Sequence, residues 1–484
     1  MPDIAFRSAV EMASQIRRKK IGCEELLDHL VNRVKRHNGA INAVIATRIP
    51  AARKQARLAD KALAKRSFKP GPLFGVPITV KESFDVKGMA TTWGLPEFSK
   101  HRAKSHSAVV NKLIDAGANV FGKTNVPVLL ADWQSFNPVY GTTNNPWRLS
   151  ATPGGSSGGS GAALAAGLTG LEFGSDIGAS IRNPAHYCGV FGHKPTFNLV
   201  SAEGQTLDGQ VSGADIAVVG PLARSAADLK LALELTAGPN TIDEMGWQLK
   251  LAAPRFKKPA DLRIAVMTTT PTAPVDDAIQ APIRELATAL RKLGAKVSFK
   301  ASPAIDAEQA HNTYIELLRF ATAGRMADEP LNRLIKRSKR LKASDQDYES
   351  LMIRGNTMLP RRWHHLNETR HRMRLAWAEF FKDWDVLLCP AAATPAFEQN
   401  QQGERFERMI PVNGKPQPST TQMFWAGFSG MSYLPSTVAP IALTSDGLPT
   451  GVQIVGPQWG DLSTIAVAAM IEKHFYRFAP PPGF

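Results

Sequence analysis

The sequence predicts an α/β fold in which helices cover both faces of a β-sheet. Three observations support this prediction. Short apolar runs alternate with segments whose apolar residues recur at helical spacing, glycines such as Gly117 and Gly294 end several of those segments, and 43% of the residues are hydrophobic. A chain of 484 residues often forms about three domains, but large single sheets also reach this size. We expect one domain spanning residues 1–484.

The first third of the chain carries the alternation most clearly. Apolar residues recur three and four positions apart in each predicted helix, and each predicted strand is a short apolar run. The run ending at Val80 places Lys81 directly after a buried strand. The predicted helices are Val10–Arg17, Glu24–His37, Ala51–Lys65 and Ser105–Asp115, and the predicted strands are Asn42–Thr47, Val76–Val80 and Asn119–Gly122.

The alternation continues through the rest of the chain. A small-residue helix includes Ala162–Ala166, and Pro221 lies just ahead of a helix that ends near Leu235. Residues 305–383 are mostly helical and basic, and Asp461–His474 is a further predicted helix. The remaining predictions are strands at Leu168–Phe173, Asp261–Met267, Ala295–Phe299 and Asp383–Pro390 and a helix at Ala278–Leu293.

The net charge of +16, from 58 basic and 42 acidic residues, is typical of some nucleic-acid-binding proteins. Here the basic residues are dispersed over several amphipathic segments, and most of them lie beside acidic residues. A solvated basic surface is therefore the preferred interpretation. We expect no nucleic-acid partner.

The cysteines and the apolar runs limit the compartment. Cys23, Cys188 and Cys389 are too few and too scattered for a disulfide framework or a zinc knuckle. No apolar run reaches about 18 residues, so no membrane span is expected. Residues Met1–Arg7 lack the basic-then-apolar pattern of a secretory signal. These observations favour the cytoplasm.

Residues 153–182 are the most informative stretch. A glycine-serine loop, Pro153-Gly-Gly-Ser-Ser-Gly-Gly-Ser-Gly, runs into the small-residue helix, and the turn Asp176-Ile-Gly-Ala-Ser180 follows an apolar strand. Glycine lets the backbone approach a ligand closely, and serine adds a hydroxyl with little bulk. Such a loop is typical of a linker, a phosphate-binding site or a nucleophile. The ordered apolar segments on both sides disfavour a linker.

This stretch resembles the signature of the amidase signature family. The matching motifs are Gly154-Gly-Ser-Ser-Gly-Gly-Ser160, Asp176-Ile-Gly-Ala-Ser-Ile-Arg182 and an earlier element, Gly75-Val-Pro-Ile-Thr-Val-Lys-Glu-Ser83. The resemblance implies a large mixed, twisted β-sheet sandwiched between helices. It also implies late strands within Met431–Ile441 and Gly447–Gly456.

The resemblance implies a catalytic trio as well. In that family a lysine, a serine of the glycine-serine loop and a second serine act together, and these correspond to Lys81, Ser156 and Ser180. The likeness extends from about residue 8 to about residue 475 and is densest over residues 70–200. Residues 305–383 correspond to a region that caps the mouth of the active site and sets substrate choice.

The residue types suit amide hydrolysis on chemical grounds. A serine hydroxyl needs a base to take its proton, and no histidine of this chain lies in a comparable motif. Free lysine titrates near ~10.4, but burial disfavours its charged form. Because Lys81 follows the apolar run Phe74–Val80, we expect it to be buried and uncharged at neutral pH. Ser156 would then relay a proton from Ser180 to Lys81.

Attack on an amide carbonyl creates an oxyanion, which backbone N–H groups in a tight turn can bind. The resemblance assigns this role to the N–H groups of Ile177, Gly178, Ala179 and Ser180. Ala179 lies where glycine is usual in the family. Because alanine is strained at positive φ, we predict a negative φ at this residue. Asp176 and Arg182 flank the turn and are expected to brace it by pairing with buried groups.

Several residues are candidates for substrate binding. Leu130 and Trp133 lie in Asn125–Gly141, which resembles the segment that walls the acyl channel of fatty acid amide hydrolases. A place in the apolar core is the alternative for both. Gly155 and Trp425 are further candidates. The two tryptophans favour a bulky aryl or aliphatic amide or ester.

Three other patterns indicate different chemistry. Gly117–Thr124 matches the nucleotide-binding pattern G-x-x-x-x-G-K-T, but it follows a helix instead of a strand and its centre is strand-like. Gly155–Gly159 matches the G-x-S-x-G motif of α/β-hydrolases, yet no strand precedes it. His364, Glu368 and His371 lie at helical offsets, and a solvated helix is preferred over a metal site there.

The sequence therefore predicts an enzyme that cleaves a carboxylic amide, or an ester or carbamate, through an acyl-enzyme. The products are an acid and ammonia or an amine. A small-molecule amide is the expected partner, no metal or organic cofactor is expected, and a homodimer is compatible with the sequence. Two alternatives stay open: the glutaminase A subunit of a tRNA-dependent amidotransferase, and a nucleotide- or nucleic-acid-binding protein that uses Gly117–Thr124 and the positive charge.

Overall fold

The structure is a computed structural model that describes residues 3–484, and Met1 and Pro2 lie outside the described residues. The described chain forms helices α1 to α14 and strands β1 to β15. The helices are α1 Ala9–Arg17, α2 Cys23–Ile41, α3 Ile49–Leu63, α4 Ala108–Asp115, α5 Gly158–Ala165, α6 Arg182–Cys188, α7 Ala226–Thr236, α8 Asp277–Lys292, α9 Ala307–Ala323, α10 Asp328–Ser338, α11 Tyr348–Asn356, α12 Pro360–Asp383, α13 Met423–Gly430 and α14 Asp461–His474.

The strands alternate with these helices over most of the chain. They are β1 Val44–Thr47, β2 Pro77–Lys81, β3 Asn119–Thr124, β4 Phe136–Asn137, β5 Gly141–Thr142, β6 Glu172–Asp176, β7 Phe191–Lys194, β8 Val218–Ala223, β9 Arg263–Val266, β10 Lys296–Ser298, β11 Val386–Pro390, β12 Met409–Val412, β13 Lys415–Pro418, β14 Ser436–Leu443 and β15 Pro449–Val455.

The strands build one large mixed sheet and three small ones. The 8-stranded sheet has the order β10-β9-β11-β15-β14-β7-β8-β6. Its first three strands are parallel and the remaining pairs are antiparallel. A 3-stranded sheet has the order β1-β3-β2, and β4-β5 and β12-β13 are hairpins. The predicted α/β fold with a large mixed sheet is confirmed.

Two backbone links join the 3-stranded sheet to the large one. The N–H of Gly170 donates to the Pro77 carbonyl at 3.0 Å, and the N–H of Thr79 donates to Thr169 Oγ1 at 2.8 Å. Both links connect β2 to the residues that lead into β6. Because Lys81 ends β2 and Asp176 ends β6, these links bring the ends of two strands together.

The main departures from the predicted elements surround the signature stretch. Val218–Ala223 is an internal strand although it contains Pro221, which was predicted only to precede a helix. All six residues of this strand are buried, so burial of its valines and leucine outweighs the proline's missing N–H. Helix α6 was not predicted at all. Its sequence, Arg-Asn-Pro-Ala-His-Tyr-Cys, lacks an apolar repeat because every residue in it is buried.

Other parts of the chain follow the sequence closely. Residues 305–383 form helices α9 to α12. Cys23, Cys188 and Cys389 are buried free thiols. No helix within residues 3–484 combines the length and the apolar character needed to cross a bilayer.

Candidate active site

Lys81, Ser156 and Ser180 come from three different elements and lie around one cavity. Lys81 is the last residue of β2, Ser156 lies in the loop before α5, and Ser180 lies in the turn after β6. The Nζ atom of Lys81 is 2.7 Å from Ser156 Oγ. The N–H of Ser157 donates to the Ser180 carbonyl at 3.1 Å, and Ser156 and Ser180 line the same cavity. The two signature motifs are therefore tied together at the lysine.

Lys81 is fully buried at the end of a strand whose five residues are all buried. Burial lowers the pKa of its amine to about 7, although the charges of Asp176 and Glu82 act in the opposite direction. The loss of solvation prevails because neither carboxylate contacts the amine directly. A large fraction of this amine is therefore uncharged at neutral pH, and an uncharged amine can accept a proton.

The amine has a second hydroxyl neighbour that the sequence analysis missed. Ser175 Oγ lies 3.0 Å from Lys81 Nζ, and the Ser175 carbonyl lies 3.4 Å away. Gln205 in turn donates from Nε2 to Ser175 Oγ at 3.2 Å. These contacts fix the direction of the amine toward Ser156. Because Ser175 directly precedes Asp176, its place in the signature was a signal that could have revealed it.

The carboxylate of Asp176 organises the turn that carries Ser180. Its oxygens accept the N–H groups of Ala179 at 2.9 Å and Ile181 at 3.1 Å. The guanidinium of Arg182 donates to the same carboxylate at 3.0 Å from Nε and at 2.8 Å from Nη2. Burial opposes ionisation of Asp176, but the charge of Arg182 and these hydrogen bonds lower its pKa. Asp176 and Arg182 thus pair with each other beneath the turn.

The conformation predicted for Ala179 is wrong. Its φ is +67°, in the left-handed region, where an alanine side chain is strained. The N–H of Ala179 is held by Asp176 Oδ1, and the carbonyl of Ala179 accepts from the Asn183 N–H at 2.7 Å as α6 begins. Hydrogen bonds on both sides of the residue therefore offset a strain of about 1–2 kcal/mol.

Two side chains hold the carbonyl groups of the same turn. Tyr314 donates its hydroxyl to the Ile177 carbonyl at 3.0 Å, and Trp133 donates Nε1–H to the Gly178 carbonyl at 2.7 Å. In a trans peptide the carbonyl and the following N–H point in opposite directions. The N–H of Gly178 therefore points away from Tyr314, and the N–H of Ala179 points away from Trp133, toward Asp176.

These contacts correct the proposed set of oxyanion donors. The N–H of Ala179 is occupied by Asp176, so it is not available to an oxyanion in this conformation. Within residues 3–484, no acceptor is recorded for the N–H groups of Ile177, Gly178 and Ser180. Three of the four predicted donors are thus free to bind an anion at the cavity wall.

The cavity has a volume of about 290 Å³ and reaches Ser156 and Ser180. Leu130 and Trp133 line it, with Leu129 and Trp93 beside them. Helix α9 and the residues after it supply Leu318, Arg319, Thr322, Arg325 and Met326. An apolar group of modest size fits such a space, and charged side chains are also present at its wall.

Gly155 and Trp425 do not line this cavity in the described structure. A Cβ on Gly155 would lie 2.3 Å from the Asp132 carbonyl, so glycine is needed here for a close backbone approach. Trp425 is fully buried in the hydrophobic core on α13, and Met423 from the same helix reaches the cavity instead. The tryptophan was chosen for its size, which suits a core position equally well.

The nucleotide-binding pattern does not form a phosphate site. Residues 119–124 of the pattern are strand β3, and the next α-helix of the described chain begins only at Gly158. Lys123 is buried and donates to the Ala90 carbonyl and to Thr91 Oγ1, and Thr124 Oγ1 lies 2.9 Å from Ser160 Oγ. Both residues support the packing around the signature loop.

The other two motifs also have ordinary structural roles. Ser157, at the centre of Gly155–Gly159, follows a loop and precedes α5, so no strand leads into it as a nucleophile elbow requires. His364, Glu368 and His371 are exposed on α12. Among residues 3–484, no cluster of three or more metal-ligating side chains is present.

Sequence reasoning missed the contributions of distant helices to the site. Tyr314 and Arg319 lie on α9, more than 130 positions after Ser180, and no local motif marks them. Arg405 reaches the same cavity from the segment before β12. Their roles follow from tertiary packing alone, so a single sequence contains no signal for them.

Arg182→Met is expected to lower the free energy of unfolding by about 3–5 kcal/mol, because it leaves the Asp176 carboxylate buried without its partner. The guanidinium also donates to Gln453 Oε1 at 2.6 Å and to the Ala426 carbonyl at 3.0 Å. Denaturant-induced unfolding monitored by circular dichroism measures this loss.

A matched substitution on the surface provides the control. Arg148 pairs with Asp446 at 2.7 Å, but both side chains are largely exposed. Arg148→Met is therefore expected to change the free energy of unfolding by less than about 1 kcal/mol. Equal losses in the two variants would contradict a structural role for the buried pair.

The chain resembles known proteins over nearly its whole length. The model of the Amidase family matches residues 25–465. The indoleacetamide hydrolase of Bradyrhizobium diazoefficiens is 31% identical over 477 residues, which cover 96% of this chain and 86% of that protein. The glutaminase-type A subunit named as part of the glutamyl-tRNA(Gln) amidotransferase of Chromohalobacter salexigens is 30% identical over 491 residues, which cover 96% of each protein.

A solved structure agrees with these relatives. The structure of 6-aminohexanoate cyclic dimer hydrolase with its substrate superposes with a TM-score of 0.80 at 25% identity, covering 99% of each chain. Family model, sequence relatives and fold give the same result. The chain belongs to the amidase signature family and is a hydrolase of amide C–N bonds.

Proposed function

We propose that Ser180 is the nucleophile of this amide hydrolase and that Lys81, acting through Ser156, is its general base. The observation that carries the proposal is the 2.7 Å contact between Ser156 Oγ and a buried lysine amine whose pKa is lowered to about 7. A hydroxyl between an uncharged amine and a second serine can pass a proton in either direction. Ser180 lies beside Ser156 at the cavity wall, where a substrate carbonyl would arrive.

The reaction then proceeds in two stages. Ser180 Oγ attacks the amide carbon while its proton moves to Ser156 and the proton of Ser156 moves to Lys81. The oxyanion binds the free N–H groups of Ile177, Gly178 and Ser180. Collapse of the tetrahedral intermediate breaks the C–N bond, and the proton returns through Ser156 to the leaving nitrogen. Water releases the acid from Ser180 by the same route in reverse.

The substrate is proposed to be a small amide, ester or carbamate with an apolar portion. Support for this comes from the apolar part of the cavity wall, which includes Trp93, Leu129, Leu130 and Leu318. The same cavity receives side chains from α9 and α11, so residues 305–383 are proposed to cap the active-site mouth within a single domain.

Glutaminase activity within an amidotransferase complex is the second candidate, because one protein of that kind is 30% identical over nearly the whole chain. The late part of this chain lacks the tyrosine- and arginine-rich stretch that we associate with such glutaminases. Specific hydrolysis of glutamine together with co-purification of a partner protein would favour this candidate. Hydrolysis of acyl anilides by the isolated chain would favour the first.

Partitioning of the acyl group to hydroxylamine tests the proposed acyl-enzyme. Hexanamide and hexanoyl 4-nitroanilide would give one common hexanoyl-Ser180 intermediate. The ratio of hexanohydroxamate to hexanoic acid should therefore be the same for both substrates at a given hydroxylamine concentration. A ratio that differs between the two leaving groups would contradict a shared covalent intermediate.

A further inference from the structure

The wall of the cavity carries an excess of positive charge. Arg319, Arg325 and Arg405 all line it, and arginine stays protonated at any pH at which a protein is folded. Within residues 3–484, none of the three forms an ion pair with a carboxylate. Buried or part-buried charges are normally paired, so this arrangement needs an explanation.

The carboxylates that share the cavity are already occupied. Asp132 pairs with Arg408 at 2.7 Å, and Asp176 pairs with Arg182 at 2.8 Å. Asp132 is close enough to raise the pKa of Arg405, but its ion pair is with Arg408. The cavity residues therefore leave the three arginines without an acidic partner.

Two of the arginines surround a tyrosine instead. The hydroxyl oxygen of Tyr348 accepts from Arg319 Nη2 and from Arg405 Nη2, the latter at 3.2 Å. Burial opposes ionisation of this hydroxyl, yet the charges of Arg319 and Arg405 lower its pKa. The Nε–H groups of both arginines are buried without an acceptor in the described chain. A buried donor without a partner is costly, so an acceptor supplied by a ligand would be stabilising.

The third arginine lies against an aromatic ring. The guanidinium carbon of Arg325 is 4.5 Å from the centre of the Trp93 ring, and no hydrogen bond of its guanidinium is recorded within residues 3–484. A cation over an indole keeps its N–H groups directed outward from the ring edge. Arg325 is therefore free to donate to an anion in the cavity.

Helix α9 relates these charges to the reacting centre. Tyr314 on this helix contacts the oxyanion turn through the Ile177 carbonyl, and Arg319 follows five positions later. At ~1.5 Å per residue, the two Cα atoms are separated by about 7.5 Å along the helix axis. Arg325 lies just beyond the end of the same helix. The positive groups thus lie toward the end of the cavity that is remote from the turn.

We propose that the preferred substrate is an amide carrying a carboxylate at the end remote from the scissile bond, and that this carboxylate binds among Arg319, Arg325 and Arg405. The inference rests on the proposed hydrolysis at Ser180, which defines the other end of the cavity. A planar carboxylate accepts two parallel hydrogen bonds from one guanidinium, so neighbouring arginines suit it well. The apolar wall between the two ends accommodates the connecting chain or ring.

The test measures binding to the Ser180→Ala variant, so that affinity is separated from turnover. For a carboxylate on the acyl side, the probes are the succinyl, adipoyl and suberoyl mono-4-nitroanilides, each compared with the butyryl, hexanoyl or octanoyl 4-nitroanilide. For a carboxylate on the amine side, N-hexanoyl-4-aminobenzoate is compared with N-hexanoyl-4-toluidine. Isothermal titration calorimetry gives the Kd of each pair.

At least one anionic probe should bind about tenfold more tightly than its neutral match, and the side that shows the preference identifies where the carboxylate lies. Adding Arg325→Gln to the Ser180→Ala chain should reduce that preference to about twofold, because the substitution removes a charge-assisted donor but no recorded hydrogen bond. Adding Arg361→Gln, which removes an exposed arginine at the start of α12, should leave the preference unchanged.

Neutral probes that bind as tightly as every anionic probe would overturn the inference, and so would a preference that survives Arg325→Gln and Arg319→Gln. The proposed hydrolysis would still stand if the wild-type chain cleaved the neutral anilides. Conversely, tight binding of an anionic probe that the Ser180→Ala chain still cleaves would contradict the role of Ser180 and leave this inference supported.

Discussion

Ser180→Ala is expected to lower kcat by on the order of 10⁶-fold while the protein stays folded, because removing the nucleophile of a serine hydrolase leaves only the contributions of binding and the oxyanion donors. The substitution removes one oxygen and keeps the backbone. The carbonyl of Ser180 can still accept from Ser157, and the carboxylate beneath the turn can still hold Ala179. Steady-state hydrolysis of hexanoyl 4-nitroanilide measures kcat, and thermal unfolding by circular dichroism measures stability.

Ser432→Ala is the matched control for this prediction. Ser432 is also buried, but its hydroxyl has no partner within the described chain and it does not line the cavity. Its loss should change kcat by less than about twofold, as expected for a substitution distant from the reacting groups. Substantial residual activity in Ser180→Ala, or an equal loss in Ser432→Ala, would show that the nucleophile lies elsewhere.

Lys81→Met is expected to remove most of the activity, and the wild-type pH profile should show why. The base is active when the amine is uncharged, and burial lowers the pKa of Lys81 to about 7. Plotted against pH, kcat/KM should therefore be level above this value and fall about tenfold per pH unit below it. Methionine fills a similar volume without accepting a proton, so the variant should lose activity across the whole pH range.

Lys194 supplies the control for the assignment of that acid limb. Burial also lowers the pKa of Lys194 to about 7, but its amine donates to the Pro195 carbonyl at 2.9 Å and does not line the cavity. The folded fraction of Lys194→Met should keep the acid limb of the profile. Loss of the limb in this variant, and its retention in Lys81→Met, would contradict the proposed base.

The sequence predicted the parts of the site that local motifs define. Lys81 and Ser156 were found because glycines, serines and an apolar strand give them recognisable surroundings. Helix boundaries such as Asp461–His474 agree with the structure because caps and apolar periodicity are local properties. The contact between the lysine and the serine, however, depends on the links between β2 and the chain before β6, which no periodicity reveals.

The errors have identifiable physical causes. A negative φ at Ala179 was inferred from intrinsic strain alone, whereas hydrogen bonds from Asp176 and Asn183 hold the residue in the left-handed region. Trp425 was placed in the pocket because of its size, yet it packs in the core. The cavity arginines were missed because they approach from helices and loops far away in sequence, where packing instead of pattern decides their neighbours.

Labelling with a fluorophosphonate tests the central claim most directly, since this reagent phosphonylates a serine only when a base activates it. Tryptic peptides of the labelled wild-type chain, sequenced by mass spectrometry, should carry the label on Ser180, at a rate that falls below pH about 7 with the pKa of Lys81. Lys81→Met should abolish labelling without unfolding the chain. A label on Ser156 or another serine, or labelling that Lys81→Met leaves unchanged, would contradict the proposed proton path.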